Sequence, residues 1–185
     1  MSIVFNAAVI VFEIIGLWIS ISARKWEIFA YYTQLSNIVT LISSVILLSG
    51  GSNDVSSGLR YLSSCMLTMT FLITLFVLVP MGGGFRRLML SGNGLYHHTI
   101  CPILSVTSYL LWEQHASLWI LPTALTFTYG IVMLIMNAKE SFDGPYPFFR
   151  VHNQSKASTV LWMIILVAII ALISIGIVAA GNSIS

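Results

Sequence analysis

The chain has 185 residues, of which 57% are hydrophobic and only 8% are charged, and its formal net charge is +2. Soluble domains usually carry about 25% charged residues, so this composition excludes an ordinary soluble domain and indicates a polytopic membrane protein. A net charge this small gives no reason to expect a nucleic-acid partner. Cys65 and Cys101 stand in separate apolar segments and predict neither a disulfide framework nor a metal site.

Apolar segments long enough to cross a bilayer, which takes about 20 residues, recur along the whole chain. We count six of them and predict an all-α bundle that forms a single transmembrane domain over residues 1–185. The predicted spans are about 2–22, 29–49, 59–80, 94–112, 117–137 and 158–181. The first segment has no charged region and no small-residue cleavage site, so we interpret it as a span rather than a signal peptide.

Lysine and arginine are unevenly divided between the predicted loops. The loops after the first, third and fifth spans hold Arg24, Lys25, Arg86, Arg87, Lys139, Arg150 and Lys156. Arg60 alone lies on the opposite side. Because positively charged loops tend to stay in the cytoplasm, we expect these three loops to be cytoplasmic and both termini to be on the other side.

The second span begins with an unusually polar stretch, YYTQLSNI (31–38). Helical spacing places four polar residues on one stripe, with Ser36 beside it: Thr33, Asn37, Thr40 and Ser44. Lipid cannot satisfy these groups, so the stripe should face protein or a wet cavity. The most common role of such a stripe is hydrogen bonding between packed helices, at about 0.6 kcal/mol for each bond.

The fourth predicted span opens with LYHHTICP (95–102), which contains His97 and His98. A histidine in a span is a candidate proton carrier, although one at a helix entrance can also simply face water and headgroups. Thr33 and His98 each lie about four residues into spans that start from the same side, roughly 6 Å below the same interface. A hydroxyl and an imidazole at matched depth suit nucleophilic catalysis.

One loop stretch and three charged residues also need an interpretation. The loop stretch GPYPFF (144–149) predicts either a stiff connector or a lid over a substrate. Glu13 lies in the middle of the first span; we expect it to pair with a span hydroxyl and to lie too deep to orient a histidine. Glu113 falls toward the far end of the fourth span, and Arg60 is expected to mark the entrance of the third. A catalytic dyad without an acidic third member is the simplest expectation.

Taken in this order, YYTQLSN, LYHHTICP and PYPFF resemble the family of androgen-induced and androgen-dependent membrane threonine hydrolases, and in particular its bacterial-type relatives. The resemblance implies a hydrolase of fatty acid esters of hydroxy fatty acids, located in a bacterial inner (plasma) membrane. It implies Thr33 as nucleophile and His98 as base, or His97 if one counts back from Pro102. The chain carries Thr-Gln-Leu-Ser-Asn after the tyrosines, as the bacterial branch does, so its substrate need not be the animal one.

We therefore expect a membrane lipid esterase in which Thr33 attacks a fatty acyl ester and His98 takes the proton. Candidate oxyanion or substrate contacts are Ser36, Asn37, His97 and Tyr146. The expected partner is a membrane lipid or fatty acyl ester, and neither a metal nor an organic cofactor is required. The alternative is a non-catalytic membrane protein that binds or transports a small amphiphile or a proton along Glu13, His97 and His98.

Overall fold

The computed structural model describes residues 1–113, 116, 118–142, 144 and 146–184, and their regular secondary structure is entirely helical. The α-helices are α1 (Ser2–Arg24), α2 (Tyr32–Gly50), α3 (Asp54–Ile73), α4 (Phe85–Met89), α5 (Gly92–Gly94), α6 (Cys101–Trp112), α7 (Ile120–Ala138) and α8 (Lys156–Ile184). Short 3₁₀ turns occupy Lys25–Ala30, Pro147–Phe149 and Val151–Asn153, and π-helical segments occupy Thr74–Gly83 and Leu95–Ile100. The predicted all-helical fold is confirmed.

Five helical segments of the described chain are long and apolar enough to cross a membrane: Ser2–Ala30, Tyr32–Gly50, Asp54–Gly83, Ile120–Ala138 and Lys156–Ile184. The segment predicted as the fourth span is helical as well, but it is built from α5, a π-helical turn and α6 and is not among these five. Its histidines, serines and threonines make it less apolar than the others. The count of six spans and the side on which the termini lie stay predictions.

Polar residues lie inside the bundle and many large apolar residues lie outside, which is the distribution that a lipid surrounding favours. On α1 the buried residues recur every three or four positions, at Asn6, Val9, Glu13, Gly16 and Ser20. The opposite face of α1 presents exposed apolar side chains such as Ile3, Val11 and Ile14. Helix α3 is the most enclosed helix and packs against α2, α6 and α8.

The helix that begins with α3 ends in a sharp change of direction. Pro80 lies in its π-helical extension, and the backbone leaves helical geometry at Met81 and Gly82. Gly82 and Gly84 have positive φ values of 95° and 73°, which glycine adopts without strain. The turn leads directly into α4, whose Leu88 lies beside the segment that carries both neighbouring histidines.

Candidate functional site

Thr33 and His98 line the same cavity, which has a volume of about 520 Å³. Small-molecule sites typically enclose about 300–1,000 Å³. The walls come from the end of α1, the start of α2, the turn after Pro80, α4, the π-helical turn and the loop before α8. Its polar and charged lining residues are Ser20, Arg24, Tyr31, Thr33, Gln34, Arg87, Asn93, His98, Tyr146 and Arg150. The three predicted motifs therefore meet at one place in the fold, although their catalytic roles stay predictions.

Thr33 lies in the first turn of α2, where backbone N–H groups have no acceptor within the helix. Two phenols supply these acceptors: the Tyr32 N–H donates to the Tyr129 hydroxyl at 3.1 Å, and the Thr33 N–H donates to the Tyr146 hydroxyl at 3.3 Å. The Tyr146 hydroxyl also lies 3.3 Å from the Thr33 Oγ1. Burial raises the pKa of the Tyr146 phenol, so the group is neutral and able to donate a hydrogen bond to Thr33.

His98 is half-buried, and its Nδ1 lies 2.8 Å from the Leu88 carbonyl oxygen. A carbonyl oxygen can only accept, so in this contact Nδ1 carries the hydrogen. In the neutral ring Nε2 then keeps its lone pair, which is the tautomer that a general base needs. The turn after Pro80 thus orients His98 through the backbone of α4, without an acidic side chain.

His97 is completely buried and does not line the cavity. Its Nε2 lies 3.4 Å from the Glu13 Oε2, within ion-pair distance but without hydrogen-bond geometry. Its Nδ1 lies 3.3 Å from the Gln34 Nε2. The ring fits because residue 16 is glycine: a Cβ there would lie 2.3 Å from the His97 Nε2.

Glu13 was expected to pair with a span hydroxyl and to lie too deep to orient a histidine; in the structure it lies beside His97, and neither of its carboxylate oxygens has a hydroxyl partner. Glu13 belongs to the buried stripe of α1, and Gly16 opens a space on that stripe into which the His97 ring reaches. Gln34 joins this pair to the cavity, because it lines the cavity and contacts His97.

Ser36 and Asn37 are completely buried and line no part of the cavity. The Ser36 Oγ and the Asn37 Nδ2 both donate to the Thr33 carbonyl oxygen, at 2.8 and 2.6 Å. The Ser36 hydroxyl also lies 3.1 Å from the Thr70 hydroxyl on α3. The predicted role of the two residues as oxyanion or substrate contacts stays a prediction, and the Ser36–Thr70 contact between α2 and α3 is the interhelical hydrogen bonding expected of a polar stripe.

A narrow apolar pocket of about 40 Å³ adjoins the cavity. Thr33, Leu78 and Tyr146 line both spaces, so the pocket begins where the candidate nucleophile lies. Its other walls are mostly apolar: Met69, Ile73, Phe148, Phe149, Met163 and Leu166. The two phenylalanines of PYPFF are buried here, which makes this stretch a wall of the bundle; Pro145 lies outside the described residues.

A second polar cluster, at the other ends of the same helices, was not foreseen from the sequence. Arg60 is completely buried, and its Nε lies 2.8 Å from the Glu113 Oε2. Asn6 and Ser108 donate to the Glu113 Oε1 at 2.8 and 2.6 Å. The signal that could have found the pair is its charge, because ionisable residues inside spans almost always pair with one another.

Comparisons with protein-family models, with curated proteins and with solved structures find no match for this chain. In the part of the chain that the structure describes, no group of three or more His, Cys, Asp or Glu side chains is placed to hold a metal ion.

Proposed function

We propose that this protein is a membrane lipid-ester hydrolase with Thr33 as nucleophile and His98 as general base. One observation carries the proposal: Thr33 and a histidine with its Nδ1 held by a carbonyl line the same polar cavity, and an apolar pocket begins at Thr33. An ester with a fatty acyl chain presents this combination of a polar bond and an apolar tail. Fatty acid esters of hydroxy fatty acids are one such class.

The proposed reaction uses two acyl transfers. The Thr33 Oγ attacks the ester carbonyl carbon while the His98 Nε2 takes the hydroxyl proton, and the tetrahedral intermediate breaks its bond to the alcohol oxygen. The imidazolium returns its proton to the departing alkoxide, which leaves an acyl ester on Thr33. Water, deprotonated by His98, then attacks this ester and releases the fatty acid, and Thr33 regains its proton.

Tyr146 is the proposed hydrogen-bond donor at this site. Its neutral hydroxyl lies 3.3 Å from the Thr33 Oγ1 and lines the cavity. In the reaction this hydroxyl would orient the nucleophile or donate to the developing oxyanion. Loss of one oxyanion donor typically lowers the rate about 10²–10³-fold.

The finer membrane arrangement is also part of the proposal. We place the segment Gly92–Trp112 across the membrane as a sixth span, because its histidines and serines face protein rather than lipid. Both termini then lie on the non-cytoplasmic side of a bacterial inner (plasma) membrane, and the cavity lies at the cytoplasmic end of the bundle.

The test is covalent labelling of the purified protein in detergent by a fluorophosphonate probe. An activated Thr33 forms an Oγ–P bond and expels fluoride, and mass spectrometry locates the adduct. We expect an adduct on Thr33 in the parent protein and none in Thr33→Ala or His98→Ala. Thr40→Ala is the matched control, because Thr40 is buried on the same helix but does not line the cavity. A folded parent protein without an adduct, or labelling that survives Thr33→Ala, would contradict the mechanism.

A second candidate function is the binding or transport of an amphiphile or a proton without chemistry. The observation in its favour is the polar path from the cavity through Gln34 to His97 and Glu13. The two functions respond differently to substitution. A carrier reconstituted in vesicles should lose proton movement in Glu13→Gln and keep it in Thr33→Ala, whereas a hydrolase should lose ester turnover in Thr33→Ala.

A further inference from the structure

The cavity is lined by cationic side chains from three separate segments. Arg24 comes from the end of α1, Arg87 from α4 and Arg150 from the loop before α8. No described residue that lines the cavity is acidic. The uneven distribution of lysine and arginine between the loops predicts that these arginines lie on one side of the membrane. It does not explain why all three of them line one cavity.

Arg24 and Arg87 have most of their hydrogen-bonding capacity left for a ligand. The Arg24 guanidinium lies 4.8 Å from the centre of the Tyr31 ring and contacts the Tyr31 hydroxyl through Nη1. The Arg87 Nε donates to the Gly83 carbonyl oxygen at 2.9 Å. Each guanidinium has five N–H donors, so one bond leaves the others available. Neither side chain has a carboxylate within 4.0 Å among the described residues.

Arg24 and Arg87 place two positive charges on the lining of one cavity, where they repel each other and attract an anion. Guanidinium groups match the geometry of phosphate and carboxylate oxygens and bind them through paired hydrogen bonds. The walls of a cavity also strengthen such a field relative to a flat surface. The arginine-lined part of the cavity is therefore built to receive an anionic group.

The order of the lining residues extends this argument to the whole ligand. Arg24 and Arg87 line the large cavity only, Thr33 and Tyr146 line both spaces, and Met69 and Met163 line the apolar pocket only. The pocket holds about 40 Å³ of free space, so an acyl chain enters further only if these flexible methionine side chains move.

We infer that the ligand is a single-chain anionic amphiphile whose phosphate or carboxylate binds between Arg24 and Arg87 and whose acyl chain points past Thr33 into the apolar pocket. The order along the ligand is anionic group, ester, chain, as in a monoacylglycerol phosphate. The position of the ester at Thr33 rests on the proposed function; binding of the anionic group does not.

Binding to Thr33→Ala protein in a neutral detergent tests the inference without turnover. Isothermal titration would compare a monoacylglycerol phosphate, the uncharged monoacylglycerol with the same chain, and inorganic phosphate. We expect the phosphate-bearing amphiphile to bind at least about tenfold more tightly than the uncharged one, because both arginines contact its phosphate. Inorganic phosphate should bind far more weakly, since it lacks the chain.

Arginine variants locate the anion. Arg24→Gln and Arg87→Gln should each weaken binding of the monoacylglycerol phosphate about fivefold, and the double variant should weaken it more than either single variant, while binding of the uncharged amphiphile is unaffected. Arg86→Gln is the matched control, because Arg86 is the neighbouring arginine of α4, is exposed like Arg87, and does not line the cavity. The affinity of this variant for the monoacylglycerol phosphate should equal that of the parent protein.

Four outcomes would overturn the inference. They are equal affinity for the charged and uncharged amphiphiles, equal losses in Arg86→Gln and Arg87→Gln, unchanged binding in the double variant, and inorganic phosphate that binds as tightly as the amphiphile. The last outcome would identify a site for a free anion. Failure of fluorophosphonate labelling at Thr33 with the expected binding results would refute the hydrolase and leave the anionic ligand standing.

Discussion

Glu113→Gln removes one charge from a fully buried ion pair. The Arg60 Nε and Nη2 lie 2.8 and 3.3 Å from the two oxygens of Glu113, and the side chains are 0% and 2% exposed. The other Arg60 donors meet the Ser44 hydroxyl at 3.2 Å and the Ser105 carbonyl oxygen at 3.1 Å. Glutamine keeps the volume of the side chain, so the substitution changes charge rather than packing.

The expected loss is large because the remaining guanidinium cannot give up its proton. Removal of one partner from a buried pair costs about 3–5 kcal/mol, since the other charge is left without compensation. At about 1.4 kcal/mol for each factor of ten, the unfolding equilibrium shifts about 10²–10⁴-fold. Replacement of both partners by apolar residues of similar size, Arg60→Met with Glu113→Leu, removes the uncompensated charge and should recover part of the loss. The recovery is incomplete because Asn6, Ser108 and the Ser105 carbonyl each lose a hydrogen-bond partner.

Reversible unfolding in mild detergent, followed by circular dichroism, measures Glu113→Gln and a double-mutant cycle made of Arg60→Met, Glu113→Leu and their double variant. The reasoning requires a large loss in Glu113→Gln and a double variant more stable than the sum of its single variants. A loss below about 1 kcal/mol in Glu113→Gln would place the pair among weak surface contacts and refute the reasoning. The reasoning would also be refuted if the stability loss of the double variant equalled the sum of the losses of its single variants, because the two side chains would then not be coupled.

Substitutions at three glycines offer further tests. Gly16→Ala places a Cβ 2.3 Å from the His97 Nε2, so the ring must move; we expect a loss of about 1–3 kcal/mol in the same unfolding assay. Gly176→Ala, whose Cβ would meet nothing within 4 Å, should be neutral or slightly stabilising, and equal effects of the two substitutions would contradict this packing. Gly130→Val fills the apolar pocket from a Cβ position 2.8 Å from the Met163 Cε. For each methylene group that the valine excludes from the pocket, turnover of long-chain esters should fall about fourfold relative to turnover of short-chain esters. An unchanged ratio of the two turnover rates would show that the acyl chain binds elsewhere.

The helices could be predicted to within a few residues because apolar run length and polar loops decide where they lie. The first span, predicted at 2–22, is Ser2–Arg24, and the fifth, predicted at 117–137, is Ile120–Ala138. The interruptions could not be predicted in the same way. Leu95–Ile100 lies within a segment predicted as one continuous span but is π-helical, and π-helical turns have no simple periodic signal in the sequence.

Contacts between helices could be predicted only in part, because a single sequence indicates the depth of a residue in the membrane but not the direction in which it faces across the bundle. The equal predicted depths of Thr33 and His98 suggested that the two residues lie together, and in the structure both line one cavity. The same reasoning applied to the opposite ends would have paired Arg60 with Glu113. It could not have paired Thr33 with Tyr146, since the latter lies in a loop whose path is set by tertiary packing.

Two buried acid–base pairs among the described residues differ in how completely they are hydrogen-bonded. Every charged atom of Arg60 and Glu113 has a hydrogen-bond partner, as a permanent anchor requires. Glu13 and His97 are equally buried, yet they meet at 3.4 Å without hydrogen-bond geometry. A contact without hydrogen-bond geometry recovers less of the cost of burial than the bonded Arg60–Glu113 pair does. The neighbouring Gln34 lines the cavity beside Thr33, which places this less well-bonded pair next to the end of the bundle where the ligand is proposed to bind.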